Sequence, residues 1–282
     1  MHYRFAMKQL IPILLLAATP VFAQLQPRPE DLVRPQTSTH TILIPAAGNV
    51  LGGGGTHFRS DINLINFTNR TQNVAIHWLP QGANGSEIPP VIVQINASSG
   101  FVSEDFVSAI LRQNGLGAVL IRGVAADGTT LDNTAQLHAS ARIWTPFPGS
   151  QQGTMSQTFP AIVVPGLVSN RQWIFGVRRD DRYRLNVGIV NMSAQTQQFA
   201  VRTIGSIPPG EGEQHVVVVQ PMSMEQIPMT GQGVVGSFQV VVENATPLAL
   251  RSTAWQSYAS SVDNTTGDAW SMSGFEAAGQ QQ

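Results

Sequence analysis

Apolar and polar residues alternate almost one for one through Asp61–Phe67, DINLINF, and again through Leu185–Asn191, LNVGIVN. Period two marks a strand with one buried face, and the abundance of Val, Ile and Thr agrees with extended backbone. Clusters of Asn, Gly, Pro and Ser separate the short apolar runs: FTNRTQN, PQGANGSEIPP, VAADGTTLDN and IGSIPPGEGEQ. Strands punctuated by turns about every 8–12 residues predict an all-β chain built as sandwiches. One segment departs from this pattern. SEDFVSAILRQNG offers Ser103 as N-cap, Glu104 and Asp105 at the positive helix end, Phe106, Ile110 and Leu111 as an apolar stripe, and Gly115 as a stop. It predicts one short helix.

The chain also repeats itself. ILIP and then FRSDINLINFTNRTQNVAI in the first half answer to IVVP and then YRLNVGIVNMSAQTQQFAV in the second. Arg59 meets Arg184, Asp61 meets Asn186, Asn66 meets Asn191 and Thr71 meets Thr196. Further on, GAVLIRG aligns with GSFQVVV, and ASARIWT with LRSTAWQ, placing Trp144 opposite Trp255. Where the first repeat has its helix the second has SMEQIPMTG, in which Pro228 limits a helix to about one turn. The expected architecture is two tandem immunoglobulin-like antiparallel β-sandwich domains, residues 40–150 and 158–274, with one short helix in the first. The Gly/Ser/Gln-rich Pro148–Gln157 joins them, residues 24–39 form an extended lead-in, and 275–282 form a disordered tail.

The first residues change the picture of where such a protein works. Arg4 and Lys8 precede the apolar Leu10–Ala18, and Val21-Phe22-Ala23 closes a secretory signal peptide, residues 1–23. Export to the periplasm or beyond follows. The apolar run is shorter than the about 20 residues a spanning helix needs, and no membrane span is expected. Zero Cys removes disulfides, thiol nucleophiles, Cys-ligated metals and a lipid-bearing cysteine. Removing Arg4 and Lys8 from the 16 basic residues leaves 14 against 17 acidic ones. That mildly acidic balance lacks the basic field that nucleic-acid binding asks for. Lys8 is the only lysine, which excludes Schiff-base chemistry, a phosphate-loop lysine and a Ser-Lys hydrolase from the mature chain.

Gly52–Gly55 run directly toward His57, Arg59 and Asp61. A phosphate loop needs GxxxxGK[ST] before a helix, and a dinucleotide turn needs GxGxxG between strand and helix. With no lysine and a strand following, the run reads as a hairpin turn that uses glycine's access to positive φ. At that place the second repeat carries SNRQWIFGVRRDDR. The segment RQWIFGVRRDDRYR sets arginines among Trp173, Phe175 and Tyr183. Guanidinium forks suit carboxylates and phosphates, and neighbouring aromatic rings stack on sugars or fill protein interfaces. An interaction surface is therefore expected at Arg171, Trp173, Arg178, Arg179, Arg182 and Tyr183. The competing reading is a twisted hairpin whose arginines pair with Asp180 and Asp181 and whose tryptophan covers the core.

The remaining candidates read as structure. DNTTGD, Asp263–Asp268, offers oxygen ligands for Ca²⁺ but lacks the loop order that binds it, and an Asx-type turn is the simpler reading. His40, His57, His77, His138 and His215 show no ligand spacing, and neither HExxH nor GxSxG occurs. No catalytic, cofactor-binding or metal-ligating residue is assigned. Trp144 and Trp255 read as core by recurrence, leaving Trp173 and Trp270 for a glycan.

IPAAG…FRSDINLINFTN, the tryptophan-bearing strand ahead of GTMSQTFPA, and YASSVDNTTGDAW together resemble a tandem β-sandwich repeat of exported proteins from environmental bacteria. The resemblance covers most of Thr41–Trp270 and implies secretion and architecture, without a chemistry. The strand–Asn–turn–strand opening is also similar to that of PapD-like and other immunoglobulin-like modules, which bind or space. The reading that follows is an exported, non-catalytic binding, adhesion or spacer module whose partner is a protein or glycan at the cell envelope. Two alternatives stay open: a carbohydrate-binding module using segment 171–184, and a hydrolase with a site between the two domains.

Overall fold

Period-two segments become antiparallel strands throughout the chain. A computed structural model describes residues 39–52, 55–147, 153–164, 170–206, 209–230 and 235–276. The expected signal peptide, nearly all of the lead-in and residues 277–282 lie outside the described residues. The first repeat comprises β1 (Thr41–Leu51), β2 (His57–Asn66), β3 (Gln72–Pro80), β4 (Val91–Ile95) and β5 (Ser99–Ser103). After the one-turn helix α1 (Phe106–Ala109) come β6 (Gly115–Val124), β7 (Leu137–Pro146), β8 (Thr154–Pro160) and the short β9 (Ile162–Val163). The second repeat comprises β10 (Arg171–Arg179), β11 (Tyr183–Asn191), β12 (Gln197–Ser206) and β13 (Pro209–Val219). It continues with β14 (Ser223–Met229), β15 (Gly236–Asn244), β16 (Trp255–Asp263) and β17 (Ala269–Ser273).

Hydrogen bonding runs β4-β3-β6-β1 and β5-β2-β7-β8 in the first repeat, and β13-β12-β15-β10 and β14-β11-β16-β17 in the second. Laid on one another, β1 to β8 match β10 to β17 strand for strand. In the first repeat the end of β1 also bonds across, Val50 to Phe58 and Leu51 to His57, and links the two sheets. Gly52 N donates to Thr56 O (2.9 Å) at the base of that hairpin, and Gly53 and Gly54 of the glycine run lie outside the described residues. Even the return of the chain is repeated. Leu43 of β1 pairs with Ile162 of β9, and Trp173 of β10 bridges Phe275. Phe275 is thus part of the fold and not of the expected tail. Likewise β8 pairs with β7, so the first set of strands runs past residue 150 to Val163, and the second opens at Arg171.

The repeat is real, but its register differs from the expected one in three places. Ile44 and Ala47 face Val119 and Gly117 across a bulge, and Ile174 and Val177 face Val240 and Phe238 across another. ILIP therefore answers to QWIF in β10, while IVVP opens β9. The same pairs set Gly117 against Phe238, two positions from the expected match with Gly236. Ala141 and Ala259 lie opposite Ile62 and Val187, so that Trp144 corresponds to Val262 and Trp255 to Leu137. Matching on one large residue ignored the face on which it lands. Trp255 is wholly buried in the core, whereas Trp144 lies on the outer face and donates Nε1 to Asp61 Oδ1 (2.8 Å).

The helix is also shorter than expected. Ser103 ends β5 opposite Ile62, so the helix begins only after Asp105, a left-handed residue (φ 49, ψ 48) that makes no side-chain cap. Gly115 opens β6 instead of closing a helix. Strand pairing claims the residues that would have nucleated the first turn. In the second repeat SMEQIPM is β14, an edge strand whose sheet neighbour is β11, and the edge position accommodates Pro228.

What the repeats share most closely is a buried asparagine. Asn66 Nδ2 donates to the carbonyls of Arg70 (2.8 Å), Ile95 (3.3 Å) and Asn96 (3.0 Å), and its Oδ1 accepts from Thr68 N and Oγ1. Asn191 Nδ2 donates to Gln195 (2.7 Å), Val219 (3.2 Å) and Gln220 (2.9 Å), and its Oδ1 accepts from Ser193 N and Oγ. Each asparagine ties the end of one strand to the two turns beside it, and satisfies carbonyls that burial would otherwise leave unpaired.

Ile62, Leu64, Val74 and Ile76 belong to one core, and Val187, Ile189, Phe199 and Trp255 to another. Val190, Met224 and Tyr258, which point from the opposite face of β11, β14 and β16, belong to the first core. The sheet β14-β11-β16-β17 is therefore covered on both sides, and all nine residues of β16 are buried. Tyr258 meets Phe159 edge-on at 5.7 Å and donates its hydroxyl to Gln226 Oε1 (2.9 Å). Gly188 lies beneath it, where a Cβ would come within 2.0 Å of the ring. At the same junction Gly82 N donates to Met224 O (3.1 Å) and Ser223 Oγ to Pro80 O (2.8 Å). Both repeats fall within one compact unit.

Candidate interaction surfaces

Of the six residues expected to form an interaction surface, five lie on β10 and the following turn, and Tyr183 opens β11. The structure separates them. Arg179 points inward, is buried and pairs with the buried Glu213. Arg171 pairs with Glu243 (3.2 Å), which Arg202 also reaches (3.3 Å). Arg178, Arg182 and Tyr183 gather at the other end of the hairpin. Arg178 pairs with Asp180 (2.8 Å) and its guanidinium lies 4.4 Å from the Tyr183 ring centre. Arg182 pairs with Asp263 (2.6 Å) and lies 5.4 Å from the same ring. The hydrogen bond from Arg178 holds the Asp180 carboxyl below the usual range, and that from Arg182 holds Asp263 down to about 2. The arginine partners are therefore Asp180, Glu213, Glu243 and Asp263, three of them from distant strands, and not the pair Asp180 and Asp181.

Trp173 does not cover the core. It stands half-buried on the outside of β10, near-parallel to Phe175 at 6.1 Å, and Phe175 is near-parallel to Phe275 at 5.0 Å. Phe175 and Phe275 are 42% and 49% exposed, more than an ordinary packing role requires. The next residue, Gly176, takes up φ 73 at the bulge and accepts a hydrogen bond from Trp270 Nε1 (3.3 Å). Trp270 in turn meets Tyr183 edge-on at 5.5 Å. Five aromatic side chains thus gather beside Gly176 in two groups that make up one track, Trp173–Phe175–Phe275 and Trp270–Tyr183. The two tryptophans singled out in the sequence end up in the same track. Phe275 gave no signal, because the glycine before it reads as the end of a strand and its partner is about a hundred residues away.

The other candidates resolve locally. Asp263 Oδ1 accepts from Thr265 N (2.8 Å) and Thr266 N (3.3 Å) while Oδ2 takes Arg182, so DNTTGD is an Asx turn held by an ion pair. Asp61 accepts from Trp144 and from Asp105 N (3.3 Å), and His57 contacts Asn49. Among the described residues no three His, Cys, Asp or Glu side chains gather where a metal ion could be held. Nor is any described helix long and apolar enough to cross a membrane. A cleft of about 220 Å³ lies between the repeats, between β1, β2, β7 and β8 on one side and β11 and β16 on the other. Arg184 and Asn186 line it, whereas their sequence partners Arg59 and Asp61 lie on the outer face of the first repeat beside Trp144.

No protein-family model, curated protein or solved structure matches the chain.

Proposed function

We propose that the protein is an exported, non-catalytic binding module, adhesive or spacing at the cell envelope, whose second repeat holds a carbohydrate on the aromatic track. The observation that carries this reading is the approach of Trp173 and Trp270, from opposite ends of the second repeat, to neighbouring residues of β10: Trp173 stacks on Phe175, and Trp270 donates to the carbonyl of Gly176. Aromatic faces and edges beside one another suit the apolar faces of pyranose rings, which stack on them. Arg178 and Arg182 sit at one end of the track already neutralised by Asp180 and Asp263. The favoured ligand is accordingly a neutral glycan, held by stacking more than by charge.

Affinity electrophoresis of the full chain through neutral and acidic polysaccharides tests this. Retention is expected on a neutral polymer, insensitive to salt and lost in the double variant Trp173→Ala, Trp270→Ala. Retention that survives the double variant, or none on any polymer, would discard the track. Hydrolysis of a retained polymer would overturn the non-catalytic part of the reading.

A further inference from the structure

We infer that the cleft between the repeats binds a small monocarboxylate with an apolar tail, a second site independent of the aromatic track. Its chemistry is unlike that of the hairpin beside it. Arg171, Arg178, Arg179 and Arg182 each face a carboxylate, but Arg184 donates NH1 to the neutral Asn264 Oδ1 (2.8 Å). Among the described residues, no Asp or Glu lines the cleft. The repeat explains how this came about. Arg59 has Asp61 two residues along its strand, whereas Arg184 has Asn186, so the in-strand countercharge of the first repeat is an amide in the second.

A second polar group points to an anion. Gln157 Oε1 accepts from Ser260 Oγ (2.8 Å), but Gln157 Nε2 is buried without a hydrogen-bond partner. Buried donors are ordinarily paired, so the side-chain amide of Gln157, enclosed behind the wall, gains a partner if it turns toward an acceptor in the cleft. Asn186, Gln226, Ser156 and Ser260 add neutral polar groups, and most of the remaining wall is apolar, with Phe58, Leu116, Ile143, Phe159 and Val262 prominent. A carboxylate at the mouth accepts from the exposed Arg184, and its tail displaces water from the apolar walls beside Gln157. A sugar is a poorer match, since its hydroxyls would find no carboxylate to accept from them.

The test titrates the full chain with hexanoate and with hexan-1-ol, followed by amide NMR. Hexanoate is expected to shift the Gln157 side-chain amide and the Gly267 backbone amide saturably. Hexan-1-ol is expected to bind about tenfold more weakly or worse, since it lacks the charge-assisted bonds. Arg184→Gln lowers hexanoate affinity by about the same factor, Arg184→Lys restores part of it, and Arg178→Gln leaves it unchanged. Arg184 is exposed, so the spectrum of Arg184→Gln should otherwise stay that of the native fold. Equal binding of acid and alcohol overturns the proposal, as does undiminished binding by Arg184→Gln. So do shifts centred on Trp173 and Tyr183, or no saturable shift at all.

Discussion

The sheets β5-β2-β7-β8 and β14-β11-β16-β17 have one strand order and opposite surroundings. On the face turned away from its own core, the first carries Asn63, Ser140 and Val102 side by side, and Val102 is 71% exposed. The equivalent positions of the second are Gly188, Tyr258 and Gln226, and Tyr258 is wholly buried against the first repeat. Duplication supplied the inward faces and the asparagine locks twice. Only one copy turned its outer face into an interface, and the other left that face open, with Asn63 and Ser140 beside the exposed Val102. Arg59 and Arg184 follow the same division. One lies 5.9 Å from the Trp144 ring centre on the open face, and the other stands at the mouth of a cleft.

The comparison is broken most directly at its buried end. Tyr258→Ala is expected to cost about 3–5 kcal/mol of unfolding free energy, since it empties an aromatic site in the core. Ser140→Ala at the equivalent position should stay within about 0.5 kcal/mol. Urea unfolding of both variants measures this, and comparable losses would mean that the two faces do not differ as described. The shared lock makes the opposite demand. Asn66→Ala and Asn191→Ala should each cost about 2–3 kcal/mol, and equally, because each strips partners from buried carbonyls. A gap between them larger than about 1 kcal/mol would show that the two locks are not equivalent.

The smallest effect is one of pH. Burial, with a contribution from the charge of Arg122, pushes His77 from 6.5 down to about 4. A folded state that resists protonation is most stable above about pH 6.5 and loses stability as pH falls toward 4, where the unfolded chain takes up the proton first. The equivalent residue of the second repeat is Arg202, which does not titrate in this range. After allowance for the partial exposure of His77, the loss is about 1–2 kcal/mol. Glu225, whose carboxyl burial raises, works in the opposite sense at the acid end. Urea midpoints between pH 7 and 4 should fall for the native chain and stay flatter for His77→Gln.

How much of this was legible in the sequence depended on the range of the interaction. DINLINF and LNVGIVN announce strands, and Asn66 and Asn191 align with their turns, because strand alternation and Asx geometry act within a few residues. Trp144 and Trp255 align in sequence but not in the fold, because a tryptophan can serve either face of a strand and neighbours along the chain do not say which. SEDFVSAILRQNG carried a plausible cap and stripe, yet β2 captured Ser103 for a strand first. In RQWIFGVRRDDRYR, charge and aromatics were visible. That Arg179 turns inward to Glu213, while Phe175 turns outward to Phe275, was not.

By itself the sequence determined that the chain is all-β and that its unit occurs twice, since alternation and turn residues are local properties. Tertiary structure alone decided which outer face is buried, which arginine of segment 171–184 bonds a neutral amide in place of a carboxylate and which aromatic rings meet. Those outcomes belong to strands far apart in the chain, where a shift of one residue in pairing exchanges the two faces of a strand.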